Sequence, residues 1–304
     1  MSRTLDVSLF LLLAVLWGLS FPAISVGLEY LPPLLFAAFR YDVAAVLLLA
    51  YAAFRVDDWI PSARNDRVAV VGGGVFLIGG NGFLFLGQQT VPSGVAAILQ
   101  ALVPIATALW ALLLLGDRLS GLGAVGVIVG FLGIGLVVTP DPSNLAAGDT
   151  LGKLLIVVQV IFVSLGGVVI QRAGPTLDRI PLTGWSMLVG SLVLHAVSLG
   201  RSELPSVDAL EPTAIGAVLY LGVFSTAIAF FIYFTILEVR GAFEASLVAY
   251  LVPVVATAVG VFVLGETIGA SAIAGFALVA LGFALLKRRA LADVMGFSTG
   301  VGLS

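Results

Sequence analysis

Ten apolar runs fill almost the whole chain, and this constrains its fold more than any other feature. They lie at approximately 7–27, 34–54, 68–88, 92–115, 121–139, 151–171, 182–200, 213–235, 243–264 and 270–287. About 20 apolar residues in a helix cross the roughly 30 Å hydrocarbon layer of a bilayer. Inside lipid the backbone must satisfy its own hydrogen bonds, so runs of this length become helices. The longest connectors, 55–67, 140–150 and 201–212, leave no room for a soluble domain. At 89–91 the connector is so short that the flanking runs read either as two helices or as one bent element. The first run is too long for a cleaved leader, and no small-x-small site precedes the next.

Composition agrees. A chain of 304 residues suggests two soluble domains by length alone, but 60% of it is apolar and only 10% is charged. An average soluble chain carries about 25% charged residues, so this one could not cover a water-facing surface. The 14 basic and 17 acidic residues give a net charge of −3. There is no basic stripe for nucleic acid. Without cysteine, and with a single histidine, neither a disulfide framework nor a Cys/His metal site can form, and no cofactor is expected. The expected fold is an all-α membrane protein with ten transmembrane helices.

Arginine and lysine set the direction of insertion, because cytoplasmic loops collect them. With the N-terminus inside, the cytoplasmic set is Arg3, Arg55, Arg64, Arg67, Arg118, Arg172, Arg179, Arg240, Lys287, Arg288 and Arg289. Outside lie only Lys153 and Arg201, while Arg40 falls within a span. Both termini are therefore expected in the cytoplasm of a multi-pass protein of the cell membrane. The acids of the outer loops, Asp141, Asp149, Glu203, Asp208 and Glu211, fit this direction.

The two halves match at a constant offset of 149 residues. Leu102-Val103-Pro104 recurs as Leu251-Val252-Pro253, Gly116-Asp117 as Gly265-Glu266, Gly126 as Gly275 and Gly133 as Gly282. Each copy holds five spans, an odd number, so the second must enter the membrane from the opposite side. The expected organisation is a first repeat over 1–140, an inverted second repeat over 141–290 and a short tail at 291–304. Many secondary transporters are inverted repeats with a substrate site near mid-membrane between the halves. Two mirrored packings of one unit also give inward-open and outward-open states of similar energy, which ligands can shift. Some channels share this architecture, so a pore stays open as the alternative.

Several residues also resemble a known family. Trp17-Gly18-x-x-Phe21, Pro32-Pro33 followed by Arg40, and Leu-x-Pro before Gly-Asp/Glu in both halves look like the drug/metabolite transporter superfamily, in its ten-helix EamA-type branch. The resemblance runs from about residue 7 to 287, and the combination is more specific than any single motif. It implies a central cavity between the halves and the export or uptake of amino acids, nucleosides or other small metabolites. The sixth span departs from the pattern, with Gly166-Gly167 where Trp-Gly is frequent.

Candidate substrate-binding residues are Trp17, Arg40, Asp42, Asn81, Gln100, Gln159 and Tyr250. Arg40 and Asp42 lie roughly 9–12 Å into the second span at about 1.5 Å per residue. A charge at a helix centre costs about 2.5–3.5 kcal/mol on insertion scales and usually faces the bundle interior or water. Two positions apart on a helix, their side chains diverge by about 200° and each needs its own partner. Arg40 could snorkel to the headgroups; Asp42 is too short, which makes it the best candidate for a substrate counter-ion or proton carrier. Its bland alternative is a static pair with a neighbouring helix. His195, near the outer end of the seventh span, more often caps a carbonyl than carries protons.

Amides in lipid need partners. Asn81, Gln100, Gln159 and Gln171 therefore either bind each other or line the cavity, and Asn81 and Gln100, on helices joined by a short turn, are the better cavity residues. Trp17 carries the motif; Trp110 could equally pack, and Trp185 resembles an interface anchor. Pro104 and Pro253, at matched mid-helix positions, free the carbonyls of Gln100 and Ala249 and are candidate hinges. Gly123, Gly126, Gly130 and Gly133, echoed by Ala272, Gly275 and Gly282, read as a close-packing stripe. The glycines at 72–74 and 79–82 suggest a hinge in the third span; no Lys-Ser/Thr follows to make a phosphate loop.

No HExxH, no paired-aspartate diphosphate motif and no mid-helix lysine for retinal is present, so an enzyme is not expected. The sequence points to a secondary transporter working by alternating access on small metabolites such as amino acids, with efflux favoured over uptake. Its partners are the solute, the lipid bilayer and, as candidate coupling ion, the proton; it would act as a monomer or homodimer.

Overall fold

The computed structural model describes residues 3–139, 148–288 and 290–291. Asp141 and Arg289, used above for orientation, lie outside the described residues, as do 140–147 of the long connector and the tail from 292. The described residues are helical or connecting, with no strand among them. Ten apolar helices follow one another: α1 (Val7–Gly27), α2 (Pro33–Arg55), α3 (Arg64–Gln88), α4 (Ser93–Leu114), α5 (Gly121–Val138), α6 (Asp149–Ala173), α7 (Arg179–Gly200), α8 (Pro212–Arg240), α9 (Ala245–Phe262) and α10 (Ala270–Leu286). Nine reach at least 18 residues, and α10 is one residue shorter. The short connector separates two helices, because the Thr90 and Val91 N–H groups turn back to the Gly87 carbonyl at 3.2 and 3.1 Å.

Four spans are irregular at mid-height, and sequence chemistry explains two of them. In α1 the helix pauses at Leu19, between Gly18 and Ser20. Pro22 has no N–H and crowds the carbonyl four residues earlier, that of Gly18. Ser20 Oγ donates to the Trp17 carbonyl at 2.5 Å and covers the gap. In α4, Pro104 opens a new helical segment after a turn at Ala101-Leu102. Pro253, its repeat counterpart, sits inside an uninterrupted helix. The remaining two irregular stretches are π-helical, Gly73–Ile78 in α3 and Tyr220–Ile228 in α8. The 149-residue offset carries the first into the second, so the distortion belongs to the repeat unit.

The halves interlock rather than sit side by side. Helix α1 packs on α8 and α9 of the other half, and α6 packs likewise on α3 and α4. Helices α2 and α7 pair, as do α4 with α9 and α5 with α10. On the last pair the glycine stripe meets itself. Gly126 lies against the Gly282 carbonyl, and Gly133 against that of Gly275. Gly275 and Gly282 are the repeat counterparts of Gly126 and Gly133, so each position touches the partner of the other, as in a two-fold interface. The numbering also runs in opposite senses along the two helices. A two-fold that relates antiparallel helices crosses them, and so lies in the membrane plane; an axis along the normal would make them parallel. The repeats are inverted.

Carboxylates fasten both ends of this arrangement. Glu203, before α8, accepts the Leu34 and Leu35 N–H groups at the start of α2, both at 3.0 Å. Asp66, at the start of α3, accepts Thr176 N and Leu177 N at 2.7 and 3.1 Å just before α7. Each supplies the acceptor that the N–H groups at or just before a helix start lack within the helix. A third clasp uses the repeated Gly-Asp/Glu pair. Gly116 and Gly265 both take left-handed φ, 76° and 67°, where a side chain would be strained. The turn at Gly265 brings Glu266 N back to the Gly260 carbonyl at 2.9 Å. The Glu266 carboxylate then accepts Ser93 N at 2.9 Å, Ser93 Oγ at 2.8 Å and Gly94 N at 3.4 Å at the start of α4. Asp117, the matching residue, is exposed.

Candidate functional site

Helices α2, α3, α4 and α6 bring three predicted amides into one chain of hydrogen bonds. Gln100 Nε2 donates to Gln159 Oε1 at 2.6 Å, and Gln159 Nε2 donates to Asn81 Oδ1 at 3.2 Å. Asn81 Nδ2 then donates to the Tyr41 hydroxyl at 2.5 Å. Gln159 is 1% exposed and Tyr41 2%, whereas Asn81 and Gln100 are only half-buried. Each amide spends one donor and at most one acceptor on the relay, so unused N–H groups remain at Gln100, Gln159 and Asn81.

Arg40 stands beside this relay, one residue before Tyr41, with its guanidinium carbon 5.2 Å from the Tyr41 ring centroid. It is 8% exposed and does not snorkel. Its Nε donates to Thr226 Oγ1 at 2.9 Å, in the π-helical part of α8. Thr226 Oγ1 in turn donates to the Leu221 carbonyl at 2.7 Å, which orients its lone pairs toward Arg40.

Asp42 turns the other way, as the helix geometry requires. Its Oδ2 meets His195 Nε2 of α7 at 2.7 Å, and both side chains stay partly exposed, at 38% and 31%. The Phe39 ring packs edge-on to the imidazole at 5.8 Å. The pair occupies the α2–α7 seam beside outward-facing Val46 and Leu192.

Two aromatic contacts complete the set. Trp17 lies 6.1 Å from Phe230 and 5.4 Å from Tyr233 between ring centroids, across the α1–α8 contact. Tyr250 stacks obliquely on Phe283 at 4.7 Å, and its hydroxyl points at the Ala101 carbonyl, 3.5 Å away. That carbonyl lies at the break in α4, where the regular helical bond is lost. Ala101 is also the repeat counterpart of Tyr250, so the contact sits beside the pseudo-two-fold axis.

Other predicted residues stand apart. Gln171 is exposed at the end of α6, Trp110 donates to the Ile161 carbonyl at 3.2 Å, and Trp185 stacks on Trp59 and donates to its carbonyl at 2.9 Å. No group of three His, Cys, Asp or Glu that could hold a metal ion occurs among the described residues. Tyr41, Thr226 and Gln88 were not anticipated. Gln88 of α3 reaches the Phe21 carbonyl at 3.0 Å and Ser25 Oγ at 3.3 Å in α1. It borders a polar hollow of about 310 Å³ with Ser25, Leu28, Glu29 and Gln89. Intramembrane hydroxyls bind their own helix so readily that Thr226 gave no sequence signal; Tyr41 could have been inferred from its place beside Arg40.

The sequence model of the EamA-like transporter family matches residues 5–139 and again 150–288, one copy for each half. The chain belongs to the EamA-like transporter family. Among similar proteins, the uncharacterized inner membrane transporter YedA of Escherichia coli K12 is 32% identical over 262 residues, covering 84% of this chain and 82% of YedA. An uncharacterized transporter of Archaeoglobus fulgidus is 28% identical over 278 residues, covering 90% of this chain and 95% of its own. A crystal structure with 22% sequence identity superposes with a TM-score of 0.64, covering 97% of this chain and 99% of that one. The two chains share one fold over nearly their whole lengths. This EamA-like protein is thus a multi-pass membrane protein of a transporter family.

Proposed function

We propose that this EamA-like transporter carries small metabolites such as amino acids across the cytoplasmic membrane by alternating access, in the efflux direction. One observation carries the reading: every candidate binding residue contacts the opposite repeat. Trp17 meets Phe230 and Tyr233, Arg40 meets Thr226, Asp42 meets His195, Asn81 and Gln100 meet Gln159, and Tyr250 meets Ala101. Rocking the halves against each other remakes these polar and aromatic contacts together, which couples solute binding to the conformational change. In this reading Pro104 and Pro253 are hinges of α4 and α9, both termini are cytoplasmic, and the Asp42–His195 pair carries the coupling proton.

The test is counterflow in proteoliposomes of the purified protein. A carrier gives saturable uptake of labelled solute that is accelerated by unlabelled solute inside. Single-channel conductance with no such acceleration would replace the carrier by a pore.

A further inference from the structure

Arg40 is a cation buried within a membrane span, and no anion pairs with it among the described residues. Lys153–Asp149, Arg179–Glu238, His195–Asp42 and Arg201–Glu203 are ion pairs, and Arg40 joins none of them. Asp42, two residues away, is turned to His195 at 2.7 Å. Asp66, Glu203 and Glu266 are spent at helix starts. The guanidinium cannot shed its proton, so a buried arginine keeps its charge and needs compensation. Thr226 supplies one neutral acceptor, to Nε only. The two Nη nitrogens have no protein acceptor among the described residues, yet they are absent from the fully enclosed orphan atoms, Gln88 Oε1, Ser186 Oγ and Ser225 Oγ. Each therefore keeps some accessible surface, in a residue that is 8% exposed overall.

The inverted repeat makes this charge one-sided. In α8, Gly222 packs on Val43 and on the Arg40 carbonyl; in α3, Gly74 packs on Val189 and on the Ser186 carbonyl. The matching contact puts Ser186 in the place that Arg40 holds in the first half, and the 149-residue offset puts Val189 there; neither carries a charge. Packing of the fold does not require an arginine there, since its mirror image is built without one.

Tyr41 and Tyr220 stand within range of the charge of the fork. The Tyr41 hydroxyl accepts from Asn81 and keeps its own proton to donate, the Asn81–Gln159–Gln100 relay follows it, and Tyr220 spends its proton on the Leu16 carbonyl next to Trp17. Paired N–H groups in a planar fork match the two oxygens of a carboxylate. A partly desolvated site makes that pairing strong, because the ligand supplies the counter-charge the protein lacks.

We infer that Arg40 is the anchor for a carboxylate of the transported solute, so that the protein selects carboxylate-bearing metabolites over neutral or cationic ones. This rests on the transporter reading and names its substrate class. Transport then moves a solute that neutralises the site, and the empty protein crosses between states with the charge uncompensated. Return without cargo is disfavoured, and exchange of one carboxylate for another is faster than net flux.

The experiment uses the full chain in lipid nanodiscs and proteoliposomes. The probes are the common amino acids and their 2-oxo acids, each beside its amide, together with uridine, chloride and inorganic phosphate. The wild-type protein is expected to gain thermal stability with at least one carboxylate and not with its amide. Arg40→Gln should weaken that response at least tenfold, while Arg40→Lys, which keeps the charge but not the fork, retains part of it. Both variants are checked for monodispersity, and Arg40→Lys alone decides if Arg40→Gln does not fold. Amides as effective as acids, an Arg40→Gln or Arg40→Lys protein with unchanged preference, stabilisation by chloride or phosphate alone, or no response to any carboxylate would each overturn the anchor. Counterflow separates this from the transport reading. Uridine or amide exchange without carboxylate exchange leaves a carrier and removes the anchor, whereas Arg40-dependent carboxylate binding without any flux leaves the anchor and removes the carrier.

Discussion

Gly133 and Gly275 stand back to back where α5 crosses α10: a Cβ on either would lie 2.6 Å from the carbonyl oxygen of the other. Lipid supplies no hydrophobic drive between helices, so contact of this closeness is the cohesive term. A methyl group at either position must push the backbones apart. Gly133→Ala and Gly275→Ala are each expected to destabilise the protein by about 1–3 kcal/mol, the usual cost of overpacking. Gly135, on the same helix but with open space around it, is the control. Gly135→Ala should be neutral or stabilising by up to about 1 kcal/mol from helix propensity. Thermal unfolding in detergent with a ligand-free sample reads all three.

Glu266 closes the α9–α10 turn onto the start of α4 with three hydrogen bonds, while Asp117 at the matched turn is exposed. Glu266→Ala should cost about 1.5–3 kcal/mol, the range for bonds to a charged acceptor. Asp117→Ala should stay within about 0.5 kcal/mol, as for an open surface site. The chain has no cysteine, so a single Gln89→Cys probe near that end can be labelled without background. Its labelling rate is expected to rise when Glu266 is removed and to stay unchanged when Asp117 is.

These two predictions draw on features that the sequence carried unequally. Spans could be read within a few residues because a bilayer demands length and apolarity, and both are local properties. The repeat was legible because Gly116, Gly126, Gly133 and Pro104 recur without a gap. The glycine stripe announced close packing, but its partner was a fold-level fact, the crossing of α5 with α10. The carboxylate caps were hidden for the same reason, since Glu203 and Leu34 are 169 residues apart. Asp42 illustrates the limit: helix periodicity separates it from Arg40, yet only the α2–α7 pairing shows that His195 receives it. The π-helical stretches had no sequence mark beyond the glycines at 72–74.

Gln159 is the middle link of the amide relay and is fully enclosed. Gln159→Leu keeps the volume but removes the partners of Gln100 Nε2 and Asn81 Oδ1, at up to about 1–3 kcal/mol for each if water does not replace them, while Asn81 keeps its bond to Tyr41. A double-mutant cycle of Asn81→Ala with Gln159→Ala should show a coupling above about 0.5 kcal/mol, as for residues in one network. Additive losses would mean that the two amides act independently. The same cycle on solute binding, read as a shift in half-saturation, tests whether the relay faces the solute or only ties α3 to α6.

Pro104 starts a helical segment after the break at Ala101-Leu102, whereas Pro253 lies within a continuous helix. Restoring an N–H at position 104 lets the Gln100 carbonyl take its regular bond and straightens α4. Pro104→Ala should therefore raise the unfolding temperature and slow counterflow, the trade expected when a hinge is stiffened. Pro253→Ala should do less of both, because its helix already runs through. Equal effects from the two substitutions would show that the break is incidental to movement.

The Asp42–His195 contact, 2.7 Å long and partly exposed, joins the first half to the second with the only histidine of the chain. Imidazole and carboxylate together can hold or release one proton, which neither an amide nor an alanine can do. If flux is proton-coupled through this pair, Asp42→Asn and His195→Gln should each leave solute exchange intact and abolish its response to an imposed pH gradient. Exchange isolates the solute step because it needs no net proton movement. A pH-gradient response that survives in Asp42→Asn would reduce the pair to a tie between α2 and α7, and loss of exchange together with stability would say the same. Measuring both fluxes on one preparation distinguishes a coupling group, which affects only the gradient-driven component, from a structural contact, which affects both.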